Sequence, residues 1–312
     1  MAKQKRTRTR SSPYPVGARS FELKLARARV HLDQLKVEIE AWVESTLKTM
    51  VEEPEPDDPR YYGTWITSRD IDEASLSLLV GDALQCLRSS LDHLAFELAA
   101  AFTVPLPNSV EKDSEFPIFG DEHGTGESRF HQLRSKGPLK GQPTPTSGLN
   151  KTRGMDTSAQ AIIERLQPYH RGHAYADHPL WLLTTLNNVD KHRAIHLVGA
   201  VLDGVGLPVN GPALPRGRWS VNIAGYGIPG EVSRITVEGG PVEPDRRTKV
   251  VRCAPILTDP NKKMRMNLAP RLDVQFDTAT PSIGGESAMG VLGRLHDYVL
   301  TDVIVPLIGF LK

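Results

Sequence analysis

The clearest hydrophobic pattern in the chain lies in the stretch from Leu76 to Phe102. Its apolar residues recur every three or four positions, so on an α-helix they fall in one stripe that must be buried. This stripe consists of Leu76, Val80, Leu84, Leu87, Leu91, Leu94, Leu98 and Phe102. A polar stripe on another face consists of Asp82, Ser89, His93 and Glu97, with Cys86 among them. We predict a helix over 72–102 that builds a core with one face and offers its polar faces to a partner or substrate.

The same spacing predicts four more helices, over 18–50, 158–167, 179–199 and 285–311. The first has its apolar positions at Phe21, Leu25, Ala28, Leu32, Leu35, Ile39, Trp42 and Met50. Between the second and third predicted helices, residues 103–157 are rich in Pro, Gly and Ser, which indicates an irregular insertion. Two apolar islands within it have the sequences EFPIF and SRFHQL, and we expect both to dock onto the helices.

Between Arg216 and Asp277 the period changes from three or four residues to two, as in strands with one wet face. The alternating groups are Trp219, Val221 and Ile223; Ile235 and Val237; Met264, Met266 and Leu268; and Leu272, Val274 and Phe276. We therefore predict an α+β protein, a bundle of four to five helices with an antiparallel β-sheet inserted before the C-terminal helix. The predicted divisions are a disordered basic tail (1–17), the bundle (18–200), the sheet (201–283) and the last helix (284–312). The acidic, proline-rich run EEPEPDDPR is predicted to be an exposed turn.

Composition narrows the class of protein. Hydrophobic residues make up 39% of the chain, enough for a real core, and the net charge of +1 implies no global attraction to nucleic acid or anionic lipid. Two cysteines, Cys86 and Cys253, form no disulfide framework. The first residues lack the apolar core of a signal peptide, and no run is long enough for a membrane span. We expect a soluble, cytoplasmic protein without a membrane partner.

One candidate site is the pair Arg88 and His93, which stand five positions apart on the predicted helix. In a groove between helices or subunits, His93 would act as a general acid or base, since its ordinary pKa lies near neutrality. Arg88 would stabilise charge on a phosphoryl group with its planar guanidinium. The alternative is that Arg88 pairs with Asp92 at i,i+4 and that His93 is a hydrogen-bonded interface histidine.

A second candidate site is the polar run from Asn187 to Arg193, inside an otherwise apolar helix. Asn188, His192 and His196 follow one another at i,i+4 and so share a face of the predicted helix. We consider Asp190 and His192 as catalytic supports, and Asn188, Lys191 and Arg193 as substrate contacts. A hydrogen-bond network that fixes a helix crossing explains the same residues equally well.

Histidines concentrate at His170, His173, His178, His192 and His196. The i,i+4 spacing of His192 and His196 suits a metal ion, with Asp177 or Asp190 adding oxygen. However, Arg193 stands where the metalloprotease motif has Glu. The sequence also lacks a phosphate-binding glycine loop and the Gly-x-Ser-x-Gly elbow of acyl-transfer enzymes. We therefore predict neither a metal nor another cofactor.

Four segments resemble recurring landmarks of a widespread bacterial family whose activity is not established. They are GDALQCLRSSLDHLAFEL, EFPIF, ERLQPY and LNNVDKHR. The Arg-x4-His motif is also similar to that of HEPN domains, all-helical modules of RNases and of toxin and phage-defence systems. There the arginine and histidine line a cleft, usually at a homodimer interface, and cleave RNA without metal. The resemblance assigns those roles to Arg88 and His93, although Ser89 replaces the polar amide or acid that often follows the arginine.

Our leading hypothesis is a HEPN-like, metal-independent ribonuclease or nucleotide-binding module for defence or stress response. Its catalytic residues would be Arg88 and His93 with Asp92, Asp190 and His192. Its partners would be RNA or a nucleotide, and a second copy of the chain bound through the bundle. The alternatives are a non-catalytic interaction or scaffold protein with structural Arg, His and Asp networks, and a metal-dependent hydrolase that uses His192 and His196.

Overall fold

A computed structural model describes the chain over residues 19–58, 61–68, 71–193, 195–205, 219–224, 232–237, 240–241, 246–254 and 270–311. The predicted basic tail (1–17) and the predicted strand at Met264, Met266 and Leu268 lie outside these residues. Within them the fold is α+β, mostly helical with antiparallel sheet, as the sequence predicts.

The helices are α1 (Ser20–Leu47), α2 (Glu73–Phe102), α3 (Asn108–Asp113), α4 (Gly126–Phe130), α5 (Gly148–Thr152), α6 (Thr157–Arg165), α7 (Pro179–His192), α8 (Ala288–Tyr298) and α9 (Val305–Leu307). A π-helical segment, Val299–Ile304, joins α8 to α9, and short 3-10 segments occupy Glu122–Gly124, Pro168–Asp177 and Ile308–Phe310. Across the part of the chain that the structure describes, no helix combines the length and apolar character needed to cross a membrane.

The strands are β1 (Val51–Pro54), β2 (Tyr62–Thr67), β3 (Leu197–Val205), β4 (Trp219–Ala224), β5 (Val232–Val237), β6 (Gly240–Pro241), β7 (Arg247–Ala254) and β8 (Pro270–Phe276). They form two antiparallel sheets, one in the order β1-β2-β7-β5-β4 and one in the order β6-β3-β8. The strands therefore come from sequence segments before and after α2: β1 and β2 precede the helix, and the remaining strands follow it.

The apolar stripe predicted on α2 is buried along almost its whole length. Every residue of the stripe from Leu76 to Leu98 is buried, as periodicity requires of a core-facing helix. Phe102 is the exception, with 57% of its surface exposed. It is the last residue of α2, so no further helical turn covers it.

The chain divides into two compact units. The first consists of the described residues within Met1–Asp33, Leu79–Ala194 and Leu292–Lys312, and the second of those within Gln34–Leu78 and Ile195–Val291. The core of the first unit contains Phe21, Ala28, Leu32, Leu84, Leu87, Leu91, Leu94, Ile163, Leu183, Leu186, Leu292, Leu295 and Val303.

Within the first unit, the irregular insertion is held by its two apolar islands, as expected. Phe116 and Phe119 of the first island and Phe130 of the second are buried. Phe119 and Phe130 pack edge to face, with ring centroids 5.8 Å apart. Buried Gln167 accepts a hydrogen bond from the backbone N–H of Phe119 (3.0 Å) and donates to the carbonyl of Pro117 (2.9 Å). The insertion is thus an ordered part of the unit, with α3, α4 and α5 inside it.

In the second unit, the prediction that the acidic run after α1 is an exposed turn is wrong for its first four residues, because Glu52, Glu53 and Pro54 belong to strand β1 and Glu55 is buried. This carboxylate is buried and pairs with Lys249 (2.9 Å) and Arg252 (3.1 Å) of β7. The pairing arises because β2 lies against β7, so the hairpin of β1 and β2 faces its cations. Burial of the charge is stabilised by these two opposite charges.

The same unit contains a close approach between Trp42 of α1 and β3. A Cβ on Gly199 would lie 2.6 Å from the indole ring of Trp42, which is too close for any side chain. The indole N–H of Trp42 donates to the hydroxyl of Ser68 (3.2 Å). Gly199 is therefore required by packing at this position.

The predicted helix over 179–199 is too long. Helix α7 ends at His192, because Arg193 adopts an extended backbone conformation (φ −162°, ψ 154°). The chain then enters β3, which pairs with β8 from Leu197 onward. His196 is consequently not on a helix, and the predicted shared face of Asn188, His192 and His196 does not exist.

Candidate functional site

The guanidinium of Arg88 is the centre of the most connected polar cluster on α2. It donates to the carbonyl of Phe116 from both terminal nitrogens (3.0 Å each) and to the carboxylate of Glu115 (2.8 Å). It also pairs with Asp92 at 3.1 Å, as the i,i+4 spacing predicts. Only 12% of the Arg88 side chain is exposed. The planar fork is thus occupied by groups of the same chain.

The two carboxylates beside Arg88 differ in protonation behaviour. Burial raises the pKa of Asp92, and the charge of Arg88 and a hydrogen bond from the Phe116 N–H only partly oppose this. Burial also acts to raise the pKa of Glu115, but the hydrogen bond and charge of Lys151, together with Arg88, hold it below its ordinary value. Glu115 accepts from Lys151 at 2.5 Å.

Beyond Glu115 the network continues into α3 and α5. Asp113 accepts hydrogen bonds from Asn150 (3.1 Å) and Arg153 (2.8 Å). Arg88 therefore connects the middle of α2 to the segment that carries EFPIF, and Lys151 connects that segment to α5. The charge-assisted hydrogen bonds of this cluster thus have a structural role, because they hold the insertion against α2.

The polar stripe on α2 runs along the N-terminal half of α1. Glu97 accepts hydrogen bonds from the backbone N–H (3.0 Å) and hydroxyl (2.6 Å) of Ser20. Asp82, four turns earlier, lies 3.9 Å from the Nδ1 atom of His31. Ser20 of α1 therefore contacts Glu97, whereas His31, later in α1, contacts Asp82, earlier in α2. The two helices are antiparallel here. Cys86 lies between these contacts, and burial raises the pKa of its thiol.

His93 occupies the middle of this stripe and is half-buried. Across the described ranges, no hydrogen bond or ion pair reaches its imidazole. Nor does any contact in those ranges join it to Arg88, which follows from their separation of about 140° around the helix. The structure therefore places the two predicted catalytic residues in different surroundings, and Asp92 belongs with Arg88.

The second polar motif meets α2 at Gly81, in the first unit. The carboxylate of Asp190 lies so close to Gly81 that a Cβ there would collide with it. Burial and the charge of Asp82 raise the pKa of Asp190. Gly81 precedes Arg88 by seven positions, or about 10 Å along the helix. The two motifs do come together, but about two turns of α2 away from Arg88 and more than three turns away from His93.

The other predicted residues of this motif lie at the surface. Asn188, Lys191, His192 and Arg193 are exposed. Asn187, by contrast, is 2% exposed, and no partner among the described residues reaches its Oδ1 atom. The motif thus turns Asn187 and Asp190 inward and its cations outward.

The histidines that cluster in the sequence do not come together in space. His170 pairs with Glu164 (3.0 Å), His196 with Glu73 (2.9 Å), and His178 with the hydroxyl of Tyr298 (3.3 Å). Over the residues that the structure describes, no three His, Cys, Asp or Glu side chains stand close enough to hold a metal ion. The spacing argument for His192 and His196 fails because α7 ends between them.

Several residues of these sites were not singled out from the sequence. They are Glu115, Lys151, His31 and Gly81. Gly81 and Glu115 had a local signal in the sequence. Gly81 directly precedes Asp82 in GDAL, and Glu115 is the first residue of the island EFPIF. Lys151 and His31 carried no such signal, because their roles depend on contacts between distant segments.

Comparison of the chain with protein-family models, with curated proteins and with solved structures gave no match.

Proposed function

We propose that this chain is a cytoplasmic, non-catalytic interaction protein whose Arg-x4-His motif has a structural role. The observation that supports this is the occupation of Arg88 by Asp92, Glu115 and the Phe116 carbonyl. A phosphate that needed this guanidinium would have to displace two carboxylates from a partly buried network, and their charges would repel it.

The second candidate is the metal-independent ribonuclease that the HEPN resemblance implies. It is favoured by His93, a half-buried imidazole with no partner in the described part of the chain. In this function His93 would accept a proton from a ribose hydroxyl, and a second copy of the chain would have to supply the phosphate-binding cation. The metal-dependent hydrolase has less support, since the described side chains offer no metal-binding trio.

One assay separates the two candidates. Purified protein is incubated with total and synthetic RNA in EDTA, and its molecular mass is measured by light scattering at the same concentration. The variants are His93→Ala, Arg88→Lys and, as a control at an exposed histidine, His123→Ala. Circular dichroism establishes that all are equally folded.

We expect no cleavage by the wild type, either in EDTA or after zinc or manganese is added back. Cleavage that His93→Ala abolishes and His123→Ala retains would overturn the proposal and establish the ribonuclease. If Arg88→Lys then retained activity, the protein would be an enzyme in which Arg88 has a structural and not a catalytic role.

A further inference from the structure

Three helices of the first unit bring polar side chains together away from the Arg88 network. His31 comes from α1, Asp82 from α2 and Asp190 from α7. The Nδ1 atom of His31 lies 3.9 Å from the Oδ2 atom of Asp82, and Asp190 reaches the α2 backbone at the neighbouring Gly81. Two of the three residues belong to the motifs that stand out in the sequence.

His31 is the unusual member of this junction. It is only 6% exposed, and its Nδ1 atom has no hydrogen-bond partner among the residues described. The distance to Asp82 is too long for a hydrogen bond, but it is short enough that one donor placed beside the two atoms could contact both. A buried polar atom without a partner is costly, so a group that satisfies it is expected.

The charge of the junction specifies that group. Burial and the nearby Arg27 lower the pKa of His31, so at neutral pH its imidazole is uncharged and Nδ1 can accept a hydrogen bond. Asp82 and Asp190 add two carboxylates, and the two lie close enough for the charge of Asp82 to raise the pKa of Asp190. These surroundings suit a cation that donates hydrogen bonds.

We propose that the junction of His31, Asp82 and Asp190 binds the primary ammonium group of a small organic amine. An ammonium has three N–H donors, and the junction offers one acceptor from each helix. Asp82, which is 64% exposed, marks the side open to solvent, where the alkyl part of the amine would leave. This inference goes beyond the proposed function, because the junction shares no residue with the Arg88 network.

The test uses two cations that differ in their donors but not in their charge. Butylammonium has three N–H donors, whereas tetramethylammonium has none. Binding of each to the full chain is measured at pH 7.5 and constant ionic strength by calorimetric titration and by the change in melting temperature. The variants are Asp82→Asn and Asp190→Asn, with Asp33→Asn as the control. Asp33 is an exposed acid on α1 that pairs with Arg29.

We expect butylammonium to bind and to raise the melting temperature, and tetramethylammonium to do neither. Each junction variant should weaken the binding about tenfold or more, since a hydrogen bond to a charged group is lost, while Asp33→Asn should bind like the wild type. The absence of butylammonium binding, an equal response to tetramethylammonium, or an equal loss in Asp33→Asn would overturn the proposal. None of these results bears on RNA cleavage, so the proposed function is tested separately.

Discussion

At the scale of single residues, the Arg88 guanidinium decides how much of α2 is available for chemistry. Five N–H groups leave from one planar fork, and the contacts to Asp92, Glu115 and Phe116 use several of them inside a partly buried site. Such a group stabilises the fold mainly by donating hydrogen bonds to the acceptors around it. Its removal takes the guanidinium donor from the Phe116 carbonyl and from both carboxylates, which keep only the Lys151 ammonium and the Phe116 N–H as partners. In a partly buried site this loss costs more than the loss of an exposed ion pair.

Arg88→Ala should therefore lower the free energy of unfolding by about 2–4 kcal/mol. Chemical denaturation at neutral pH measures this change. The control is Arg29→Ala, because Arg29 and its partner Asp33 are both 59% exposed and the pair should contribute less than about 0.5 kcal/mol. If both variants lowered the free energy of unfolding by the same small amount, the Arg88 network would not stabilise the fold.

The residue scale also marks the limit of what the sequence could predict for the site. The contact between Arg88 and Asp92 followed from i,i+4 spacing, since both lie on one helix. Glu115 stands 27 positions from Arg88, and its role depends on how the insertion returns to α2. The meeting of Asp190 with Gly81 likewise depends on tertiary packing. A local pattern predicts local partners only.

At the scale of elements, His178 links the start of α7 to the end of α8. Its Nδ1 atom accepts a hydrogen bond from the backbone N–H of Leu180 (3.2 Å) and so caps α7. A neutral imidazole that accepts at Nδ1 carries its proton on Nε2, so it donates to the hydroxyl of Tyr298 (3.3 Å). Burial and the charge of Arg171 lower the pKa of His178 to about 4.

This pKa makes the stability of the fold depend on pH. Below its ordinary pKa of 6.5, the unfolded chain binds a proton at His178, whereas the folded chain does so only below about 4. The unfolded state therefore gains protons first, and stability falls as the pH drops from about 6.5 to about 4, by at most about 3 kcal/mol. Above this range the contribution is constant.

The variant His178→Asn should remove this dependence, because an asparagine can cap the helix but does not titrate. We expect it to be less stable than the wild type at pH 7.5 and to approach or exceed it at pH 4.5, as measured by denaturant unfolding. His123→Asn, at an exposed turn position, is the control. A stability difference between wild type and His178→Asn that stays constant with pH would contradict the assignment.

Elements also show why the helices were easier to predict than their ends. The stripe on α2 repeats over many turns, so its burial followed from periodicity. The run from Arg193 to Ala200 has apolar residues spaced for either a helix or a strand, and the pairing of β3 with β8 decides between them. That choice is made by a segment about seventy residues later, which no local window contains.

At the scale of the whole molecule, α1 and α2 each contribute residues to both compact units. The first unit takes α1 up to Asp33 and α2 from Leu79, and the second takes the remainder of each helix. An α-helix forms and melts cooperatively, since each hydrogen bond fixes the next turn. We therefore expect the two units to unfold in one transition, although a chain of 312 residues is long enough for separate ones.

Trp42→Ala tests this coupling from within the second unit. The substitution removes a buried indole and its hydrogen bond to Ser68, and should cost about 3–5 kcal/mol. In scanning calorimetry, the wild type and this variant should each give one transition whose calorimetric and van't Hoff enthalpies agree, with the variant's at lower temperature. Val37→Ala, at a position of α1 that is largely exposed, should leave the transition in place. A variant that showed an early transition followed by one at the wild-type temperature would mean that the two units unfold independently, despite the helices that they share.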